Sequence, residues 1–269
     1  MKISTKNIME ISMKTSIMGI LNVTPDSFSD GGKYENKSGL LDIDIALKHV
    51  ERMIADGAAI IDVGGESTRP GFTIVEAEDE MQRVLPVIEA IKQRFDIKIS
   101  IDTYKPQVAV AAVRAGADII NDVRINGFDI EMAKAISETG AEYILTHNSP
   151  SYQNLNVDIL ETTNMYINAG VDKNKIILDP GIGFNKSYEQ NIEALRELNS
   201  FCNLGYPVLL GTSNKSVIGN ALDLPVGERL EGTIATSVLA VKAGVKYIRV
   251  HDVKANYRAV KMAEAILFS

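Results

Sequence analysis

Apolar and polar positions along the chain fall into a recurring two-part pattern: a short run rich in β-branched residues, then a longer segment whose apolar positions return at helical spacing. The pattern repeats eight times. The runs at 17–22, 58–63, 98–102, 118–121, 143–146, 176–178, 207–211 and 247–250 predict strands, and the segments at 40–55, 75–94, 106–115, 130–138, 159–169, 189–201, 232–243 and 255–267 predict helices. Each run is almost continuously apolar and reaches the next only through a helix, as in a parallel sheet covered on its faces. Eight such units in one chain predict closure into a single α/β domain, a (β/α)8 TIM barrel, rather than an open doubly wound sheet. No compositional break or Pro/Gly/Ser linker divides residues 1–269, and residues 1–15 read as a short N-terminal extension. Gly57, Gly116, Gly140, Gly170 and Gly244 stand between a helix and the next strand, the place for a left-handed helix stop.

Composition narrows the function. Among 269 residues, 28 Lys+Arg stand against 35 Asp+Glu, a formal charge of -7 and a pI near 5.1. That balance argues against a nucleic acid or an anionic membrane as partner, while leaving room for a local basic pocket. No stretch is apolar for the ~18 residues a membrane span needs, and residues 1–14 lack the apolar run of a secretory signal. Cys202 is the only cysteine, so no internal disulfide can form. A cytoplasmic enzyme is the expectation.

In a barrel of this kind the active site lies at the carboxyl ends of the strands, and here those ends are polar. Asn22 ends the first predicted strand, and Asp102, Asn121, Asp179, Arg249 and His251 stand at or just past later ones. Lys215 with Arg249 and His251 puts positive groups after strands seven and eight, where barrels often hold phosphate, with Arg69 able to close over it. A P-loop is excluded because Asn214, not Gly, precedes Lys215. Asp102, Asn121 and Asp179 suit the several donors of a planar, nitrogen-rich ring, since carboxylates only accept hydrogen bonds and Asn does both. Asn22 with nearby Asp residues suits a hard ion such as Mg2+. There is no nucleophile elbow, no His/Cys zinc spacing and no dinucleotide-binding glycine motif. His147 also stands at a strand end, whereas His49 reads as a surface or packing residue within a helix.

Six ordered motifs carry a resemblance to a known family. They are Gly19-Ile20-Leu21-Asn22-Val23-Thr24-Pro25-Asp26-Ser27-Phe28-Ser29-Asp30-Gly31-Gly32, Gly65-Glu66-Ser67-Thr68-Arg69-Pro70-Gly71, Ser100-Ile101-Asp102-Thr103, Asn121-Asp122-Val123, Asp179-Pro180-Gly181-Ile182-Gly183-Phe184 and Arg249-Val250-His251-Asp252-Val253. The chain resembles the bacterial dihydropteroate synthases of folate biosynthesis, the sulfonamide targets, over nearly its whole length. The resemblance implies a dimeric (β/α)8 barrel that condenses (7,8-dihydropterin-6-yl)methyl diphosphate with 4-aminobenzoate, with Mg2+ present. It implies that Asp102, Asn121, Asp179 and Lys215 hold the pterin, and that Asn22, Arg249 and His251 serve the diphosphate and the ion. It further implies that Thr68 and Arg69 act from a loop over the diphosphate, and that Phe28, Pro70, Phe184 and Ser216 line the aminobenzoate pocket.

Two positions depart from the family's pattern. His147-Asn148-Ser149-Pro150 has Asn where the family commonly has Met, and Asn214 stands where it usually has Arg. Two rival readings are a pterin-dependent methyltransferase and a non-catalytic pterin-binding paralogue. The first has no use for the cationic set Arg69, Lys215, Arg249 and His251. The second rests only on Asn148 and Asn214.

Overall fold

The computed structural model describes residues 14–24, 43–66, 75–124, 127–149 and 154–268. Eight parallel strands follow one another around a ring: β1 (Ser16–Asn22), β2 (Ala58–Gly64), β3 (Lys98–Asp102), β4 (Ile119–Asp122), β5 (Glu142–Thr146), β6 (Ile176–Asp179), β7 (Leu209–Leu210) and β8 (Tyr247–Val250). β1 pairs with both β2 and β8. An isolated bridge, Leu178 to Val208, closes the remaining gap between β6 and β7. The helices between them are α1 (Ile43–Ala55), α2 (Ala77–Arg94), α3 (Pro106–Ala115), α4 (Ile130–Thr139), α5 (Leu155–Asn168), α6 (Tyr188–Arg196), α7 (Leu198–Cys202), α8 (Ser216–Leu222), α9 (Leu230–Ala243) and α10 (Val253–Phe268). The chain is a (β/α)8 barrel, as its periodicity predicts. None of the described helices is long and apolar enough to cross a membrane.

Three local differences from the expected elements have physical causes. The helix expected at 189–201 is two helices, α6 and α7, that meet at Glu197, whose φ of -87° and ψ of 9° interrupt the helical run. The strand expected at 207–211 shrinks to Leu209–Leu210. Pro207 has no N–H to give a ladder, and the Val208 carbonyl accepts from both Lys246 and Tyr247. The short helix α8 was not expected, because seven residues are too few to display a 3.6 period. The start of the predicted 40–55 helix and the first 13 residues of the N-terminal extension lie outside the described residues.

Strand alternation sorts the side chains into two cores. Ile17, Ile61, Ile99, Ile120, Tyr143, Leu178, Leu210 and Ile248 point outward into the large core beneath the helices. Met18, Ile60, Ile119, Ile144, Ile177 and Leu209 point inward and fill the barrel, with Tyr247 packed against them. At the amino end, Lys98 and Glu142 pair at 2.5 Å. Two positions further toward the carboxyl ends, the same inward side carries Asp62, Asn121, Thr146, Asp179, Gly211 and Arg249. In β2, β4, β5 and β6 the interior therefore changes from aliphatic to polar within one alternation of the strand, and that change places the site.

Candidate active site at the carboxyl ends of the strands

Asp62 on β2 is fully buried. Its Oδ2 accepts from Arg249 Nε at 2.6 Å, and its carboxylate faces Asn121 Nδ2 at 3.3 and 3.4 Å. Arg249 Nη2 donates to Asp102 Oδ2 at 2.6 Å. One guanidinium thus bridges two carboxylates from β2 and β3, an arrangement suited to its planar fork. Burial opposes the charge on Arg249, but Asp62 and Asp102 outweigh it and hold its pKa above the ordinary value. Asp102 shows the reverse balance. Burial pushes its pKa up to about 7, reinforced by the Asp62 charge and opposed by Arg249.

Four buried polar atoms beside this cluster have no hydrogen-bond partner among the described residues: Ser100 Oγ, Asp102 Oδ1, Asn121 Oδ1 and Thr146 Oγ1. A buried polar atom left alone costs about 1–3 kcal/mol. Several on three adjacent strands mark a place built to receive donors from a ligand.

On the opposite wall, Asp179 Oδ1 accepts from the Gly181 N–H at 2.7 Å. This turn brings the chain against the β5 loop so closely that a Cβ at Gly181 would lie 1.9 Å from the His147 carbonyl oxygen, and its φ of +67° also favours glycine. Burial raises the pKa of Asp179, and Lys215 opposes that rise. Lys215 Nζ donates to the Ile182 carbonyl at 2.5 Å and lies 4.5 Å from the centre of the Phe184 ring. Its pKa falls to about 8, mainly through burial. Lys215, Phe184 and Asp179 are therefore gathered as expected, and Phe184 supplies a half-buried aromatic face beside the ammonium.

Asn22 is half-buried at the end of β1, where the bare backbone of Gly64 leaves its Oδ1 3.6 Å from the position a Cβ would take. His251 is exposed just past β8, and its Nδ1 is 2.9 Å from Ser213 Oγ. Ser216 opens α8 and is exposed. Phe28, Thr68, Arg69 and Pro70 lie outside the described residues, as do both loops that carry them beyond Thr24 and Glu66. His49 is exposed on α1.

The two departures have structural roles. Asn148 is buried; its Nδ2 donates to the Val123 carbonyl at 2.6 Å and its Oδ1 accepts from Asn185 Nδ2 at 2.7 Å. It thereby ties the connections after β4, β5 and β6 together. Asn214 has a φ of +58°, and Asn is one of the few non-glycine residues that adopt this region readily. Its carbonyl accepts from Arg229 Nη1 at 2.9 Å. Close by, burial and then the Lys186 charge lower the His147 pKa to about 4, so His147 is neutral at pH 7.

Two functional candidates escaped the sequence reading. Asp62 was one polar residue among many at strand ends. Its parity with Ile60, matched by that of Arg249 with Tyr247, is the signal that both side chains enter the barrel. Lys186 stands between β6 and α6 with no motif to mark it; its Nζ donates to the His147 carbonyl at 2.8 Å, and burial lowers its pKa to about 8. Taken together, the arrangement holds acceptor oxygens for a flat ring with many N–H groups and sets cations beside it. Among the described residues it offers no activated protein nucleophile.

Residues 18–251 match the pterin binding enzyme family. The chain is 54% identical over 274 aligned residues to a dihydropteroate synthase of Clostridium beijerinckii, covering 99% of both chains. A dihydropteroate synthase of Clostridium difficile, solved in the presence of pteroic acid, superposes with a TM-score of 0.88 at 49% identity, over 96% of this chain and 98% of that one. The enzyme of Xanthomonas albilineans, solved with 4-aminobenzoic acid, superposes with a TM-score of 0.85 at 37% identity, over 95% and 94% of the two chains.

Proposed function

The chain belongs to the pterin binding enzyme family, and from that premise we infer that it condenses (7,8-dihydropterin-6-yl)methyl diphosphate with 4-aminobenzoate to give 7,8-dihydropteroate and diphosphate. It is a transferase of folate biosynthesis. The observation that carries this reading is the group of partnerless buried acceptors, Asp102 Oδ1 and Asn121 Oδ1, on strands adjacent to one another in the ring that also bears Asp179 and Arg249.

In the reaction the arylamine nitrogen forms a bond to the pterin methylene carbon, and the C–O bond to diphosphate breaks, its electron pair leaving with the oxygen. The nitrogen then gives up one proton to solvent. Positive charge grows on the pterin methylene while negative charge grows on the leaving group. Asp102, Asn121 and Asp179 accept from the amino and ring N–H groups of the pterin, and the two carboxylates favour its cationic character in a site that needs little reorganisation. Lys215 lies along the ring, with Phe184 and Ser216 toward the arylamine. Arg249 and His251, with Arg69 from the loop after Glu66, face the diphosphate. Thr68, Pro70 and Phe28 complete the aminobenzoate side.

The residues present fit a Mg2+ ion shared with substrate. Asn22 offers a hard oxygen donor beside bare backbone. No set of three or more His, Cys, Asp or Glu among the described residues could hold an ion by itself. Such an ion would draw its other ligands from diphosphate oxygens and water, and when bound would offset charge on the departing group.

The same reading makes the enzyme a cytoplasmic homodimer. Val238 and Leu239 on α9, and Met262, Ile266 and Leu267 on α10, are exposed on two helices packed side by side, which supports a second copy as their cover. Sedimentation would resolve dimer from monomer.

The test is diphosphate release by the purified protein given the dihydropterin substrate and Mg2+, with and without 4-aminobenzoate. Dihydropteroate identified by mass is the expected product. Diphosphate without dihydropteroate would point to another amine acceptor, and tight pterin binding without either product would make the chain a non-catalytic binder.

A further inference from the structure

The connection from β6 to α6 carries Asp179 at its start and Phe184 within it, and side chains do most of the work of shaping it. Gly181, Gly183 and Asn185 have φ of +67°, +85° and +43°, so the backbone takes left-handed values at every second residue and no regular ladder fixes it. Asn191, buried on α6, holds the far end. Its Oδ1 accepts from the Gly183 N–H at 2.6 Å, and its Nδ2 donates to the carbonyls of Lys186 and Ser187 at 3.1 and 2.7 Å.

The near end is gathered by Lys186. Its Nζ donates to the carbonyls of His147, Gly181 and Phe184 at 2.8, 3.1 and 3.3 Å, and an ammonium with its three N–H groups suits three such acceptors. Each of the three leads to the site. His147 follows β5, and its own N–H donates to the Asp179 carbonyl at 2.9 Å. Gly181 takes the ammonium on its carbonyl and gives its N–H to Asp179 Oδ1. The Phe184 N–H donates to that same Gly181 carbonyl at 3.1 Å, and the Phe184 ring lies against Lys215. One half-buried side chain thus joins the end of β5 to the backbone that aims Asp179 and Phe184. Burial works against a charge in this position. The geometry that Lys186 imposes accounts for it better than net stability does.

We propose that Lys186 is a positioning residue for the pterin: by drawing the His147, Gly181 and Phe184 carbonyls onto one ammonium it keeps the β6–α6 turn formed before substrate arrives, so that Asp179 and Phe184 stand ready beside Lys215. This rests on the functional assignment given above. Lys186 acts through the main chain of Gly181 and Phe184, and its contribution falls on pterin affinity rather than on the chemical step.

The experiment is Lys186→Met in the full chain. Amide exchange at Gly181 and Phe184 is expected to speed up about tenfold or more as the turn is released, while exchange at Thr103, whose N–H donates to the Asn121 carbonyl, stays as in the parent. The dissociation constant of (7,8-dihydropterin-6-yl)methanol, measured by calorimetry, is expected to rise about tenfold, because only the fraction of molecules with the turn formed can bind. With both substrates saturating, kcat should stay within about threefold, since bound pterin re-forms the turn at the expense of its own affinity. Lys186→Arg, which keeps the charge and the N–H donors, should recover most of both effects. Lys186→Gln keeps two N–H donors on a shorter stem; it should give smaller shifts in the same direction, and it stands in should Lys186→Met fail to fold. In a folded variant, unchanged exchange at Gly181 and Phe184 or an unchanged dissociation constant would overturn the proposal. Exchange quickening equally at Thr103, or kcat falling in step with affinity, would overturn it too. Were the parent to bind the dihydropterin yet make no dihydropteroate, the functional assignment would fail, whereas binding and exchange would still decide whether Lys186 holds the turn.

Discussion

Asp62 and Arg249 meet in a 2.6 Å ion pair although 187 positions separate them in the chain. The pair joins β2 to β8 across the barrel mouth, and the same guanidinium reaches Asp102 on β3. Its position makes it both a brace for the fold and the anchor of the arginine proposed to face the diphosphate.

Removing one partner of such a buried pair leaves the other charge uncompensated, which costs about 3–5 kcal/mol. Asp62→Ala should therefore lower the denaturant midpoint sharply and reduce turnover. Asp62→Asn keeps the shape and an acceptor for Nε, so its loss should be about 1–2 kcal/mol. It should also lower the pKa of Asp102, because the Asp62 charge contributes to that elevation. Urea unfolding gives the first quantity, and carboxyl NMR of Asp102 gives the second. An Asp102 pKa unmoved in Asp62→Asn would mean that the Asp62 charge has no part in raising it.

Asp102 gives a pH signature. With its pKa raised to about 7, it is protonated in the free protein at pH 6, yet the pterin contact proposed for it needs the carboxylate as acceptor. Pterin affinity should rise as pH climbs from 6 to 7 and level off above, with proton release on binding below 7. The same shift works against stability. Between the ordinary value of 3.8 and about 7 the unfolded chain is ionised while the folded one holds its proton, so this group makes folding less favourable as pH rises through that window. Calorimetry in two buffers of different ionisation enthalpy counts the protons, and Asp102→Asn should abolish the count.

Lys215 sets the alkaline limit. Its pKa, lowered to about 8, means that the ammonium beside Asp179 is lost above that pH, and substrate affinity should fall there. Lys215→Arg should carry the limit upward, because a guanidinium stays charged. Lys215→Ala should weaken pterin binding below that pH by about tenfold to a hundredfold if a charged hydrogen bond is lost, and by much less above it. A pH profile of kcat/KM that is unchanged by Lys215→Arg would assign the limit to another group, with Lys186 next in line.

Asn214 is a question of backbone first. At a φ of +58° an ordinary L side chain pays about 1 kcal/mol, and Asn pays less. Asn214→Arg, which restores the family's usual residue, should lower the melting temperature by about 2–4 °C. Asn214→Gly should leave it nearly unchanged. A thermal scan of the two variants is enough. Equal melting temperatures would show that the backbone readjusts freely at this turn.

The sequence made the barrel legible because each strand is apolar on both faces and each helix carries its own period. It made the site legible wherever a polar residue interrupts that pattern at a strand end, as at Asp102, Asn121, Asp179 and Arg249. It hid what depends on contacts between distant segments. The Asp62 pair requires knowing which side chains share the interior, and Lys186 reads as one more surface lysine until the His147 carbonyl is brought to it. The Leu209–Leu210 strand is short because Pro207 gives no N–H and one carbonyl, that of Val208, serves both Lys246 and Tyr247, a sharing that no local pattern records. Asn148 illustrates the same limit: a missing methionine can be read from the sequence, whereas the tie from Val123 to Asn185 that replaces it cannot.

The lone bridge between Leu178 and Val208 leaves β6 and β7 the most thinly joined neighbours in the ring. Asp179 follows directly on one side of this seam, and the chain on the other side runs on to Lys215. The pocket proposed for the pterin thus spans the junction where the wall is easiest to part, and any ligand held by both residues acts as a rivet across it. Substrate occupancy and barrel integrity become one equilibrium: tighter pterin binding should suppress opening at this seam before it protects any other part of the sheet.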